Sequence, residues 1–302
     1  MKGYLNENSM DTIAAARAPR LNEDSMDTIA SARAPHLNED SMDTIASALA
    51  YAMGIEPPAC AAAANETLVS YIDGAFGGEK ADRVVMYNPD AVAEWIYEKY
   101  PMLFTAADAV AEVKVPLCTV MPSVTPVCFG TMYTGAQPKV HGIQKYEKPV
   151  IKIDTLFDAL IRAGKRPVII AQTNCSLAKI YLEREMDYFI YPTCEEVNAK
   201  AVEVLLSDKY DFVVIYNGNY DATMHKMGPE SIKALSELRM NTSAYAMLYH
   251  IIKNHYQKHN TLLGFAMDHG CHEIDEGAGS HGLDMEEDLN VVHLYRALKR
   301  DC

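Results

Sequence analysis

The sequence predicts an α/β protein, a three-layer αβα sandwich built on a mostly parallel central sheet. Two observations carry that expectation. From residue 83 onward, short β-branched runs alternate with amphipathic segments, the signature of repeated strand–helix units. The chain has 302 residues and is 49% apolar, enough to cover such a sheet on both faces. A third observation concerns chemistry: acids and imidazoles recur just after the strand candidates, where parallel sheets bind ligands.

The elements follow in order. Residues 5–49 hold a tandem repeat of period 16, "LNENSMDTIAAARAPR", "LNEDSMDTIASARAPH" and "LNEDSMDTIASALA". Each copy offers a Ser or Asn cap followed by Met, Ile and Ala at helical spacing. The first two copies break at Ala-Pro, whereas the third runs on into "YAMGIEPP". Roughly ten helical residues are marginal in isolation, so the repeat reads as a duplicated helix whose last copy docks. Residues 1–50 are therefore expected to form a repeat region without a catalytic role, and 51–302 a single α/β catalytic domain. Strands are expected at "RVVMYN" (83–88), "VKVPLC" (113–118), "PVIIAQ" (167–172), "DYFIY" (187–191), "DFVVIYN" (211–217) and "TLLGFAM" (261–267). Helices lie between them, including "DTLFDALIRAG" with Asp154 as its cap and a long one starting near Pro229.

Bulk properties exclude several classes. The net charge of −14 leaves no basic stripe for a nucleic-acid backbone, so an anionic substrate would need concentrated local positive charge, which a bound metal supplies. The opening residues are polar and no run of 18 apolar residues occurs, so no membrane partner and a cytoplasmic location are expected. Seven scattered cysteines, odd in number and free of C-x-x-C, point to reduced thiols rather than disulfides or a thiolate zinc site.

The stretch "MPSVTPVCFGTMYTGAQPKVHGI" poses the central question. Pro126 suits a first helical turn and Thr125 the cap before it, where unpaired N–H groups and the helix dipole favour phosphate. Thr125 is either a plain capping threonine or a nucleophile, and a threonine hydroxyl needs a base or a metal to attack. Metal-type donors exist. Asp221 and His225 stand four apart after one strand, and Asp268 and His269 end another. His281 sits in the glycine-rich "GAGSHG", and Asp90 follows the first strand. Mixed carboxylate and imidazole donors suit zinc, manganese or iron. Each feature alone has a bland reading as a turn, a cap or a solvated loop; their conjunction in one parallel sheet favours a metal site.

The order of motifs resembles the metal-dependent phosphodiesterase and nucleotide pyrophosphatase branch of the alkaline phosphatase superfamily. The matching residues are Asp90, "TP" at Thr125, "TG" at Thr134, "HGI" at 141–143, "DxxxHxxGP" at 221–229, "DHG" at 268–270 and "HG" at His281. The resemblance spans roughly residues 83–295. It implies two divalent ions, zinc first, with manganese or iron as alternatives. Asp221, His225 and His281 would hold one, and Asp90, Asp268, His269 and the Thr125 oxygen the other. It also implies hydrolysis of a small phosphate-containing substrate through a phosphothreonine.

Two departures matter. Pyrophosphatase-type members carry an asparagine shortly after "HGI", whereas this chain has "QKYEKPV", leaving Lys145, Tyr146 or Lys148 to meet the phosphate. Asp90 sits in "NPDAV" rather than Asp-Gly, and Asp73 in "YIDGAFGG" competes with it. Asp90 is preferred because a strand precedes it, while "NETLVSYI" before Asp73 reads as a helix capped by Asn65. His250, His255 and His259 read as a solvated helix end, His141 and Cys128 as structural, and His272 and His293 as outer supports. Sulfatase chemistry is not expected, since no cysteine or serine near Thr125 is followed by the required Pro and Arg. A mutase cap has little room between Thr125 and Asp221. The alternatives are phosphomonoester or phosphonate hydrolysis, a mutase of the same superfamily, or a non-catalytic binding protein on the same fold.

Overall fold

A computed structural model of the chain describes residues 36–301; the first two copies of the repeat, apart from His36, and Cys302 lie outside the described residues. The strands are β1 (Arg83–Pro89), β2 (Val113–Cys118), β3 (Pro167–Gln172), β4 (Asp187–Tyr191), β5 (Phe212–Asn217), β6 (Thr261–Phe265), β7 (His272–Ile274), β8 (Ala278–Ser280) and β9 (Asn290–Leu298). Seven of them form the central sheet in the order β2-β9-β6-β1-β5-β3-β4, and β7 pairs with β8 as a separate hairpin. All six expected strands are present; β5 starts one residue later than expected and β6 ends at Phe265 rather than Met267. Three strands are unforeseen: the short β7 and β8, and, in the central sheet, β9, which runs antiparallel to both β2 and β6 and so joins the edge strand to the parallel set.

Burial on both faces explains why the central strands read as unbroken apolar runs. Every residue of β5 and β6 is buried, as is all of β1 after Arg83. Consecutive residues of β1 serve opposite layers: Tyr87 donates a hydrogen bond to Asn241 on the long helix Ile232–His255 (3.0 Å), while Asn88 accepts one from Tyr133 on the helix Thr125–Thr134 (2.7 Å). The Thr125 helix packs with the helices Thr44–Met53, Pro138–His141, Leu156–Arg162 and Ser176–Ile180, whereas the long helix packs with Pro101–Asp108, Cys194–Ser207 and Asn219–Met227. Three layers result.

Helix starts refine two expectations and meet a third. The helix Leu156–Arg162 is capped by Thr155, not Asp154: Thr155 and Asp158 exchange hydrogen bonds in a capping box, and Asp154 instead pairs with Arg162 and accepts from Ala59 N–H. The long helix starts at Ile232 with Ser231 as cap, and Asn65 caps the helix Glu66–Phe76 by accepting from Leu68 N–H. Asp73 lies inside that helix and accepts from the Tyr51 hydroxyl, away from the sheet's ligand edge.

The third repeat copy is integral to this unit. Asp40–Met42 hydrogen-bonds to Cys118 at the outer edge of β2, covering an exposed strand edge. Its helix, Thr44–Met53, runs past residue 50 and buries Ile45 and Leu49 completely. The cap is Asp43 without a side-chain bond, rather than Ser or Asn; Ser41 contributes its carbonyl to the Thr44 hydroxyl instead (2.7 Å). No helix among the described residues is long and apolar enough to cross a membrane.

Candidate active site

The carboxyl ends of β6, β1 and β5, adjacent and parallel, deliver the acids to one edge of the sheet. Asp90 follows β1, Asp268 and His269 lie three and four residues past β6, and Asp221 and His225 stand on the helix Asn219–Met227 after β5. Four-residue spacing places the last two on one helix face. His281 follows β8, whose hairpin packs on that helix.

These side chains meet as two groups, Asp221 with His225 and His281, and Asp90 with Asp268 and His269; within each, the donor atoms lie within 4.8 Å of one another. His225 Nε2 is 3.1 Å from His281 Nε2 and 3.2 Å from Asp221 Oδ1. His269 Nε2 is 3.4 Å from both Asp90 Oδ1 and Asp268 Oδ2. The His269 and His281 rings, with centroids 4.1 Å apart, join the groups.

Thr125 stands at the junction. The helix is capped one residue earlier than expected, by Val124, so Thr125 is its first residue and its hydroxyl makes no capping bond. Its Oγ1 lies 3.3 Å from His269 Nε2 and 3.5 Å from Asp90 Oδ1. The plain capping role is therefore not the one this hydroxyl takes.

The donor set suits cations. All three imidazoles turn Nδ1 to a backbone carbonyl: His225 to Gly279 (3.0 Å), His281 to Ser123 (3.0 Å) and His269 to Gly270 (2.9 Å). That arrangement orients each ring and aims Nε2 inward. Two buried carboxylate oxygens, Asp221 Oδ1 and Asp268 Oδ2, have no hydrogen-bond donor. Buried acids normally find partners, so unpaired oxygens beside three Nε2 atoms mark a place short of positive charge.

The titration behaviour has the same cause. Burial, then the charge of Asp221, pushes Asp90 up to about 7, and burial with the Asp90 charge lifts Asp268 well above the carboxylate range. Asp221 goes the other way: burial opposes ionisation, but the His225 and His281 imidazoles, 3.2 and 3.5 Å from Oδ1, pull it below the usual range. The nearby Asp221 carboxylate raises His225 to about 8, while burial drives His269 well below 6.5.

Glycines in the motifs have steric reasons. A Cβ on Gly270 would sit 1.9 Å from the Glu287 carbonyl oxygen, and its N–H donates to the Asp288 carbonyl (2.9 Å). Gly282, at φ 105°, turns the chain directly after His281 in the left-handed region that only glycine adopts freely. Asp288 braces the same turn by accepting from His272 Nδ1 (2.7 Å) and Leu283 N–H (2.8 Å).

A cleft of about 210 Å³ opens beside Asp90, Thr125 and Asp221, and Tyr146 and Lys148 line it. Lys145 is not among its lining residues; its side chain is largely exposed and faces Glu147 (3.4 Å), so the local turn brings Lys148 to the cleft in its place. Lys148 Nζ also donates to the Asn174 carbonyl (3.0 Å), fastening that wall to the loop after β3. Sequence reasoning missed Tyr216, whose hydroxyl donates to Asp90 Oδ2 at the cleft. Its signal was slight: a tyrosine beside Asn217 at the end of an apolar strand.

Other singled-out residues lie apart. His141 is buried, with Nε2 at the Thr131 hydroxyl (3.1 Å) and Nδ1 accepting from Ile143 N–H, and it buttresses the Thr125 helix. His259 pairs with Asp208, and His250 and His255 are exposed. Cys128 is fully buried, and burial pushes its thiol well above the usual range.

The architecture and topology are those of an alkaline-phosphatase-like αβα fold. No family model and no curated protein matches the sequence. Similar solved structures include murine ectonucleotide pyrophosphatase/phosphodiesterase 5, with 18% identity over 64% of this chain and a TM-score of 0.55. Phosphonoacetate hydrolase from Sinorhizobium meliloti, in complex with phosphonoformate, matches with 17% identity over 66% of this chain and a TM-score of 0.51. The periplasmic domain of phosphoethanolamine transferase EptC from Campylobacter jejuni matches with 13% identity over 72% of this chain, 80% of that one, and a TM-score of 0.51. The chain spans 58% and 59% of the first two.

Proposed function

We propose that the protein is a metal-dependent hydrolase of phosphoric esters, cleaving a phosphodiester or pyrophosphate bond of a small or nucleotide-like substrate. The observation that carries this reading is the uncapped Thr125 hydroxyl, buried and within 3.5 Å of both His269 and Asp90 where the two acid–imidazole groups meet. Asp221, His225 and His281 would hold one divalent ion, and Asp90, Asp268, His269 and Thr125 Oγ1 the other; zinc suits this donor set first, manganese and iron next. Such ions would supply Lewis acidity, neutralising phosphoryl charge and making the threonine hydroxyl easier to ionise.

The chain's own residues supply the rest. The rigid first turn of the helix Thr125–Thr134 aims Oγ1 at the cleft. Attack forms the Oγ1–phosphorus bond as the bond to the leaving oxygen breaks, the hydroxyl proton passing through solvent to that oxygen; water then cleaves the phosphothreonine, giving its oxygen to phosphorus and a proton to Oγ1. Tyr146 and Lys148 meet the substrate beyond the phosphorus, the ammonium favouring an anion in an otherwise acidic site. Support comes from the shared fold and from an inactive variant of the murine protein solved in complex with AMP.

The test joins three measurements. Purified protein should carry close to two equivalents of transition metal, chelation should abolish hydrolysis of p-nitrophenyl phosphodiesters, and Thr125→Ala should keep the fold while losing turnover. Retained turnover in that variant would remove Thr125 as nucleophile. A panel of phosphomonoester, phosphodiester and phosphonate substrates with zinc, manganese and magnesium separates the hydrolase subclasses.

A further inference from the structure

Tyr216, the penultimate residue of β5, is in register with Asn88 of β1, so its ring falls on the face of the sheet that meets the Thr125 helix. The ring is 6% exposed and packs edge-on against Phe129, one turn along from Thr125, with centroids 5.8 Å apart. Its far end is confined by the chain: a Cβ on Gly218 would lie 2.8 Å from the Tyr216 hydroxyl oxygen. Gly218 N–H donates to Gln172 Oε1 (2.7 Å), which holds that backbone in place. Ring and hydroxyl are thus fixed from three sides before any ligand binds.

The hydroxyl donates to Asp90 Oδ2. An ionised carboxylate only accepts, so the phenol O–H is the donor in this pair. With Oδ2 engaged, Oδ1 is the oxygen turned toward His269 Nε2 (3.4 Å) and Thr125 Oγ1 (3.5 Å). We infer that Tyr216 is a positioning residue for Asp90: by occupying Oδ2 it presents Oδ1 alone to the cation site formed with Asp268 and His269. This rests on the metal-site reading above and adds to it a residue that acts on the cation through Asp90. Partners of this kind orient donors and typically contribute a factor of roughly 10–100 in metal affinity.

The experiment uses Tyr216→Phe, which keeps the ring against Phe129 and removes only the hydroxyl. Zinc affinity and stoichiometry of the full chain are measured by competition with a chromogenic chelator, with circular dichroism to monitor fold. The wild type should bind two equivalents, and in Tyr216→Phe one of them should weaken by roughly 10–100-fold while the other is unchanged. In an Asp90→Asn background the same substitution should change nothing further, because it acts through that carboxylate. If the wild type binds no zinc, the metal-site reading itself falls. If the wild type binds two and Tyr216→Phe binds both with unchanged affinity, the positioning role alone falls. Equal weakening of both equivalents, or loss of the native dichroism spectrum, would also overturn it, by making the hydroxyl a general structural prop.

Discussion

His293 offers a stability test that depends on β9, the strand that ties the antiparallel edge to the site. It is fully buried; Nε2–H donates to the Met267 carbonyl (2.7 Å), one residue before Asp268, and Nδ1 lies 3.1 Å from the Tyr295 hydroxyl. Both nitrogens are satisfied only when the ring is neutral. Burial lowers its pKa from 6.5 to about 4, with the Met267 bond partly offsetting the fall. Below 6.5 the unfolded chain takes up a proton that the folded protein refuses until about 4. Stability is therefore fully present above 6.5 and is lost as pH falls toward 4. The interval corresponds to about 3 kcal/mol. Replacing His293 with Gln keeps an amide donor for Met267 but removes the titration. Urea midpoints of chelator-treated wild type and variant, measured from pH 7.5 to 4, should diverge by that amount, the wild type losing more; other titrating groups cancel in the difference. Parallel curves would refute the buried neutral imidazole.

Other outcomes are equally direct. Gly270→Ala places a methyl against the Glu287 backbone, which cannot rotate away, and should cost roughly 2–3 kcal/mol in thermal unfolding while weakening zinc retention. Leu49→Arg, which writes into the third repeat the residue found at Arg17 and Arg33, buries an unpaired charge and should destabilise by roughly 4 kcal/mol in urea. Deleting residues 5–36 should leave kcat and KM for a phosphodiester nearly unchanged; lost turnover would give the first two copies a catalytic role.

Why some of this was legible in the sequence follows from how each element earns its stability. The inner parallel strands β1, β3, β5 and β6 are buried on both faces, so they must be near-continuous apolar runs such as "VVIYN", and such runs announce themselves. β9 is buried along its first six residues, yet His293 and Arg296 interrupt its run, and the histidine is tolerable only because the Met267 carbonyl and the Tyr295 hydroxyl meet its two nitrogens. β7 and β8 are three residues each, with no apolar period to read. Caps show the same divide: Asp154 and Thr155 are adjacent and equally suitable, and the reciprocal bond with Asp158 decides between them. At the site, acids and imidazoles just past strand ends converge because parallel neighbours bring their carboxyl ends to one edge, a consequence of topology that local sequence can carry. The finer arrangement depends on partners far away in the chain. Whether Thr125 caps or faces the acids turned on one residue of helix register; whether Lys145 or Lys148 reaches the cleft turned on a loop. Which oxygen of Asp90 looks inward is set by a tyrosine 126 positions away, through a hydroxyl that a pattern of apolar residues cannot distinguish from core. Sequence thus specifies which donors arrive, and neighbouring strands specify which of their atoms face one another.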